Sequence, residues 1–227
     1  MGFILLGLFA MNQTGISGAI LQMINHGVST GALFILVGVI YDRRHTRMLD
    51  DFGGLAKVMP WYTLFFVIIT MSSIGLPGTN GFIGEFMSLA GAFFSRSAVG
   101  FGDSWLVLTL LATTGVIFAA VYMLHAVLRM FWGKVTHGEN EGLSDINRRE
   151  TIAVLPLIAM VFWIGLYPKF FLDKMTPTVD QFVADFSVRY YEGTRTSKAH
   201  LADFDLLREQ LEANGKLALA EPTEEIR

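Results

Sequence analysis

Between residues 58 and 95 a single side chain is charged, Glu85, which stands eight residues beyond Pro77 in an otherwise apolar stretch. A carboxyl group there can take up and release a proton, its state set by burial and by nearby charge. At membrane depth an ionisable group costs about 2.5 kcal/mol or more to place, and such groups mark pathways and partners. The plainer reading is a glutamate bonded to a neighbouring helix. His26 is the second candidate. Gln22, Asn25, Ser29 and Thr30 flank it, and the three-and-four spacing puts Gln22 with Asn25 or Ser29 on its helical face. Histidine titrates near neutral pH, so this stripe is either a length of proton path or a neutral imidazole held between helices. Lys57 opens the stretch that holds Glu85, and its long stem either snorkels to water or reaches inward. His125 and Arg129 read as an anchor at the membrane interface. No spacing fits a metal site, a phosphate loop or a nucleophile–base pair. The chain has no cysteine, which excludes disulfides, thiolate metal sites and a cysteine nucleophile.

These residues need long apolar elements to hold them. Only 16% of the chain is charged, where a soluble domain carries about a quarter. Residues 1–41, 104–128 and 151–168 hold no charge, and these segments lack the polar face of a water-soluble helix. About 20 helical residues cross the hydrocarbon core, so the reading is all-α: a polytopic transmembrane helix bundle of about four complete spans and the end of a fifth. The spans are 1–10 (partial), 16–41, 58–95 (broken), 104–131 and 151–168. Met11-Asn12-Gln13-Thr14-Gly15 reads as the first turn. The opening residues have neither the basic region nor the cleavage site of a signal peptide. The net charge of −3 gives no reason to expect nucleic acid.

The segment 58–95 is too long for one straight crossing. Gly75, Pro77 and Gly78 supply a break, because proline removes a donor and disfavours helix at Leu76 while glycine accepts unusual dihedrals. Thr70, Ser72, Ser73, Thr79 and Asn80 can satisfy the backbone groups a break frees, and breaks at membrane depth occur where protein or a wet cavity surrounds them. One broken crossing puts the basic loop Arg43-Arg44-His45-Thr46-Arg47 on the same side as Arg129, Lys134, Arg148 and Arg149; a hairpin would separate them. The positive-inside rule favours the single crossing, with loops 42–57 and 132–149 on the cytoplasmic side or its organellar equivalent. Trp61, Tyr62, Trp105 and Trp132 read as interfacial belts. The tail 169–227 is expected to be amphipathic and partly disordered, with one helix capped at Thr176-Pro177 and a second over 201–211, stopped near Asn214-Gly215.

Taken in order, Met1-Gly2-Phe3, Leu21-Gln22-Met23-Ile24-Asn25-His26-Gly27, Thr30-Gly31-Ala32-Leu33-Phe34, the 43–47 loop, Phe52-Gly53-Gly54-Leu55-Ala56, Gly75-Leu76-Pro77-Gly78 and Asn80-Gly81-Phe82-Ile83-Gly84-Glu85-Phe86 resemble the antiporter-like membrane subunits of proton-pumping NADH–quinone oxidoreductase, respiratory complex I. The similarity is greatest to the branch called chain M in bacteria and chain 4 in mitochondria, and it runs over residues 1–192. In that family about fourteen helices form two inverted five-helix repeats, each with one discontinuous helix. By resemblance the segments here are the end of the tenth helix and helices eleven to fourteen, with 58–95 the discontinuous one. Glu85 then matches the carboxylate of the second proton half-channel and His26 a histidine of the central polar axis; Gln22, Asn25, Ser29, Lys57 and Asn80 are possible path or support.

The resemblance implies a C-terminal portion of a proton-translocating subunit, belonging to an enzyme whose redox chemistry lies elsewhere. It implies no cofactor in this chain: NADH, flavin, iron–sulfur clusters and quinone belong to other subunits. The implied partners are the other membrane-arm subunits, the lipid bilayer and protons. The implied setting is a bacterial cytoplasmic membrane or an organellar inner membrane, with the C-terminal tail on the positive side. The family's upstream helices, its Glu–Lys pair and a histidine just before Met1 are missing, so a fragment with an internal start, or a split subunit that reassembles, is expected. The alternatives are a multi-subunit cation/proton antiporter, a membrane-bound hydrogenase subunit, or a fragment that transports nothing.

Overall fold

A computed structural model of the protein describes residues 1–95 and 104–213. Among these every regular element is helical: α1 (Gly2–Phe9), α2 (Gln13–Arg44), α3 (Leu55–Val58), α4 (Pro60–Ile74), α5 (Asn80–Phe94), α6 (Ser104–Phe131), α7 (Arg148–Leu166) and α8 (Lys169–Ala213). Gln13–Arg44, Leu106–Phe131 and Arg148–Leu166 are each long and apolar enough to cross a membrane. The chain divides into two compact units, Met1–Asp180 and the part from Gln181 onward.

Several boundaries differ from expectation. The first turn is tighter than the five residues read from the sequence. Met11 alone takes a positive φ of 48°, and Asn12 caps α2 by accepting from the Gly15 N–H at 2.8 Å, so Gln13 already belongs to the helix. The same Asn12 donates to the Gly91 carbonyl at 2.7 Å and ties the start of α2 to α5. The stretch expected to begin at 58 begins as a helix at Pro60, because α3 is a separate turn that closes at Met59. Pro60 takes the first helical position, where its missing N–H costs nothing.

Two kinds of packing build the first unit. Toward the 42–57 and 132–149 loops, α2, α4, α6 and α7 enclose a core of large side chains centred on Tyr62, Phe66 and Phe131. Tyr62 is fully buried there and donates to the Leu36 carbonyl at 3.0 Å. It is a core residue, not the interfacial aromatic expected, because its hydroxyl finds a partner inside. Trp61 and Trp132 are exposed. Toward the other end α2 and α5 meet through small residues: a Cβ on Gly18 would lie 2.6 Å from that of Met87, and one on Gly91 would collide with Gly15. Backbones that close leave no room for side chains between them, the packing mode of membrane helices.

The tail corrects a second expectation. Thr176-Pro177 is not a helix start: α8 begins at Lys169, where the Pro168 carbonyl accepts from the Phe171 and Leu172 N–H groups at 3.0 Å each. The Thr176 hydroxyl donates back to the Leu172 carbonyl at 2.8 Å, as inside a helix. Pro177 removes one backbone bond, which a 45-residue helix survives. Residues 201–211 continue this helix rather than forming a second one. In the second unit Phe182, Phe186 and Tyr190 stack in series along it, with ring centroids 6.5 and 6.0 Å apart. Asn214-Gly215 and the end of the tail lie outside the described residues.

Candidate functional site

The break expected in 58–95 lies between α4 and α5. Helix α4 ends in a Schellman motif: Gly75 takes φ +82°, its N–H bonds the Ser72 carbonyl at 3.2 Å, and the Leu76 N–H reaches back to Met71 at 3.0 Å. Gly78 adds a second positive φ of 94°. Thr79 closes the turn through its hydroxyl, 2.7 Å from the Leu76 carbonyl. Each half-helix has 15 residues, about 22 Å of rise.

Glu85, half-buried on α5, points back at this break. A Cβ on Gly75 would stand 2.7 Å from Glu85 Oε2, so the carboxyl occupies the space a side chain would fill. Its other oxygen, Oε1, accepts from Gln22 Nε2 of α2 at 3.3 Å. From there a chain of amides and hydroxyls runs inward. Asn25 Nδ2 donates to Gln22 Oε1 at 3.3 Å and to the Asn80 carbonyl at 2.7 Å. Asn80 Nδ2 returns a bond to the Asn25 carbonyl at 3.4 Å. Asn80 Oδ1 accepts from Ser72 Oγ at 2.5 Å, and Ser72 and Ser29 lie 3.0 Å apart. Asn25, Asn80 and Ser72 are at most 1% exposed, so this cluster locks α2, α4 and α5 together where the backbone is irregular.

On its other side Glu85 faces an open cleft of about 270 Å³, lined also by Gln22, His26, Thr30, Ser73 and Tyr122. His26 is exposed to the cleft, its Nδ1 3.0 Å from the Thr30 hydroxyl. A carboxyl, an imidazole and three hydroxyls around water-sized space are groups able to hand a proton on. Lys57 does not join them; it is exposed on α3, and it does not line the cleft. Among the described residues no group of His, Asp and Glu is arranged to hold a metal ion.

Sequence reasoning missed the polar seam at the loop side. Arg43 binds both carboxylate oxygens of Glu150, at 2.9 and 2.8 Å, and the carbonyls of Ser144 and Asp145 at 2.8 and 3.1 Å. This pairing holds the Arg43 guanidinium above its ordinary pKa, and the bond from Arg43 holds Glu150 below the usual glutamate value despite partial burial. Arg44 with Glu139, Arg129 with Asp50, and Asn140 with the Asp51 carbonyl extend the seam. Loops 42–57 and 132–149 therefore lie against each other. The Asn147-x-x-Glu150 spacing, a capping box at the start of α7, was the one sequence signal for this region.

Residues 1–118, just over half of the 227, match the family described as "NADH:quinone oxidoreductase/Mrp antiporter, TM". The chain is 42% identical over 186 residues to NADH-quinone oxidoreductase subunit M of Rhodobacter capsulatus, covering 82% of this chain and 35% of that protein. It is 43% identical over 175 residues to NADH-ubiquinone oxidoreductase chain 4 of Prototheca wickerhamii, covering 77% and 32%. The chain thus spans about a third of the length of these curated relatives. In structure it is similar to a chain of respiratory complex I from Thermus thermophilus with bound NADH, with a TM-score of 0.71 and 30% identity over 80% of this chain and 36% of that one. The Mrp complex of a Dietzia species shares the fold, at a TM-score of 0.69 and 18% identity over 82% and 41%. The membrane helices, the match over residues 1–118 and the curated relatives together show that the chain belongs to the NADH:quinone oxidoreductase/Mrp antiporter membrane family.

Proposed function

We propose that this chain forms the C-terminal portion of a proton-translocating membrane-arm subunit of NADH–quinone oxidoreductase and contributes its second proton half-channel. The observation that carries the proposal is the seat of Glu85: a carboxyl held against the Gly75 break on one side and open, with His26, to a polar cleft on the other. Glu85 takes up and releases the proton, and His26 hands it across the cleft. Gln22, Asn25, Ser29 and Asn80 act as support rather than path, because three of the four are amides, which do not titrate and hold the break by fixed hydrogen bonds. This chain carries out no redox step. NADH, flavin, iron–sulfur clusters and quinone belong to other subunits, and the other membrane-arm subunits are its partners.

The topology proposed is one broken crossing through α4 and α5. Arg43 and Glu150 pair directly, so the chain between them crosses an even number of times. Helix α6 supplies one crossing, which leaves one for α4 and α5 together, and neither half alone reaches the roughly 20 residues a span needs. The basic loops then face the negative side of a bacterial cytoplasmic or organellar inner membrane, and the tail faces the positive side. Among the solved structures, the 30% identity to the complex I chain against 18% to the Mrp chain supports this reading over a cation/proton antiporter.

Glu85→Gln tests it. The amide keeps the shape but carries no titratable proton, so proton pumping by the assembled membrane complex should be lost or strongly reduced while the complex still assembles. A normal proton-to-electron ratio in that variant would sink the role assigned to Glu85; sodium-dependent exchange lost with Glu85 would favour the antiporter.

A further inference from the structure

The backbone donors at the start of α4 can be accounted for one by one. The Met59 N–H bonds Leu55 at 2.8 Å, Pro60 has none, and the Thr63 N–H makes the first helical bond, to Met59 at 3.0 Å. Two orphans remain, Trp61 and Tyr62, and α4 has no side-chain cap of its own. Both are taken by one distant carboxylate: Asp145 Oδ2 accepts from Trp61 at 2.9 Å and Oδ1 from Tyr62 at 3.0 Å. Asp145 is itself held, its Oδ1 also accepting from Ile146 at 2.7 Å and its carbonyl from Arg43 at 3.1 Å. A negative charge at a helix N-terminus is favoured by the helix dipole as well as by the bonds.

The other end of α4 bears on Glu85. Gly75, against which Glu85 Oε2 rests, closes this helix, and Ser72 one turn earlier bonds Asn80 at the start of α5. From Tyr62 to Gly75 is about 20 Å of continuous helix. Arg43, which holds Asp145, stands in the last turn of α2, the helix that carries Gln22 and His26. Asp145 therefore bears on the axial position of α4 relative to α2, alongside the direct Tyr62–Leu36 and Ser72–Ser29 bonds between the two helices.

We propose that Asp145 is a positioning residue for Glu85, acting along α4 by capping it from the 132–149 loop. This rests on the reading of Glu85 as a proton site, but the placement is measurable without transport. In the protein within its native membrane complex, the infrared carboxyl band of Glu85 is identified by its loss in Glu85→Gln. Asp145→Ala is expected to shift that band, speed exchange of the Trp61 and Tyr62 amides by about fivefold and lower proton transfer. Asp145→Asn, which keeps one acceptor oxygen and so one of the two backbone bonds, should recover all three in part, to values between the alanine variant and the parent. Asp50→Asn, which frees Arg129 on the same loop face without touching α4, should leave the band in place. Faster amide exchange with an unmoved Glu85 band would reduce Asp145 to a local cap and overturn the proposal. So would a band shift in Asp50→Asn as large as in Asp145→Ala, or an Asp145→Asn variant as impaired as the alanine with its one bond intact. Undiminished pumping in Glu85→Gln would instead sink the functional reading, and the band would still report whether Asp145 positions that carboxyl.

Discussion

Replacing Gly75 with alanine would set a methyl group 2.7 Å from Glu85 Oε2 and hold a side chain at φ +82°. Left-handed backbone at a non-glycine residue costs on the order of 1–3 kcal/mol, and the carboxyl must also leave its seat. Gly75→Ala is therefore expected to lower the thermal stability of the detergent-solubilised protein and to reduce Glu85-dependent proton transfer together, whereas alanine at exposed Leu76 should do neither. Unchanged stability and transport in Gly75→Ala would refute the seat. The sequence made Glu85 legible through its depth and the adjacent break, Asn80 as a partner for the backbone groups that break frees, and Gln22 and Asn25 through helical spacing. It placed Lys57 among the possible path residues because proximity in sequence was the only guide; α3 turns away before the half-helix starts. Asp145 could not be seen, since its donors lie 84 and 83 residues away along the chain.

At the scale of elements, the long apolar helices were legible because charge-free runs of that length have few other solutions, and their ends drifted by about a turn because capping decides them. Asn12 extends α2 backward, and Pro60 delays α4. The tail misled more seriously: threonine before proline is a good helix start, yet the Pro168 carbonyl had already begun one. The Arg43–Glu150 clamp joins α2 to α7, and its pH dependence follows from the sign of the shift. Glu150 sits below its ordinary value of 4.5 when folded. Its contribution is therefore complete above that pH and is lost as the pH falls through the lower folded value. Glu150→Gln should cost about 1–2 kcal/mol at pH 7, and its melting temperature should fall less steeply than that of the parent below pH 4.5. Parallel melting curves for the two proteins would exclude the clamp as a source of stability.

For the molecule as a whole, the absence of cysteine makes topology easy to test. Single cysteines at the exposed positions Met48 and Glu141 should react with an impermeant thiol reagent from the same face of sealed vesicles, as one broken crossing requires. Labelling from opposite faces would restore the hairpin. The seam between the two loops also has a temporal meaning. Trp61 and Asp145 are separated by 84 residues, which a ribosome needs roughly 4–17 s to add at 5–20 residues per second. Throughout that interval the Trp61 and Tyr62 N–H groups have no Asp145 carboxylate to bond. On the proposal that Asp145 positions Glu85, the half-helix bearing on Glu85 takes its final register only after the residues just before α7 have been made.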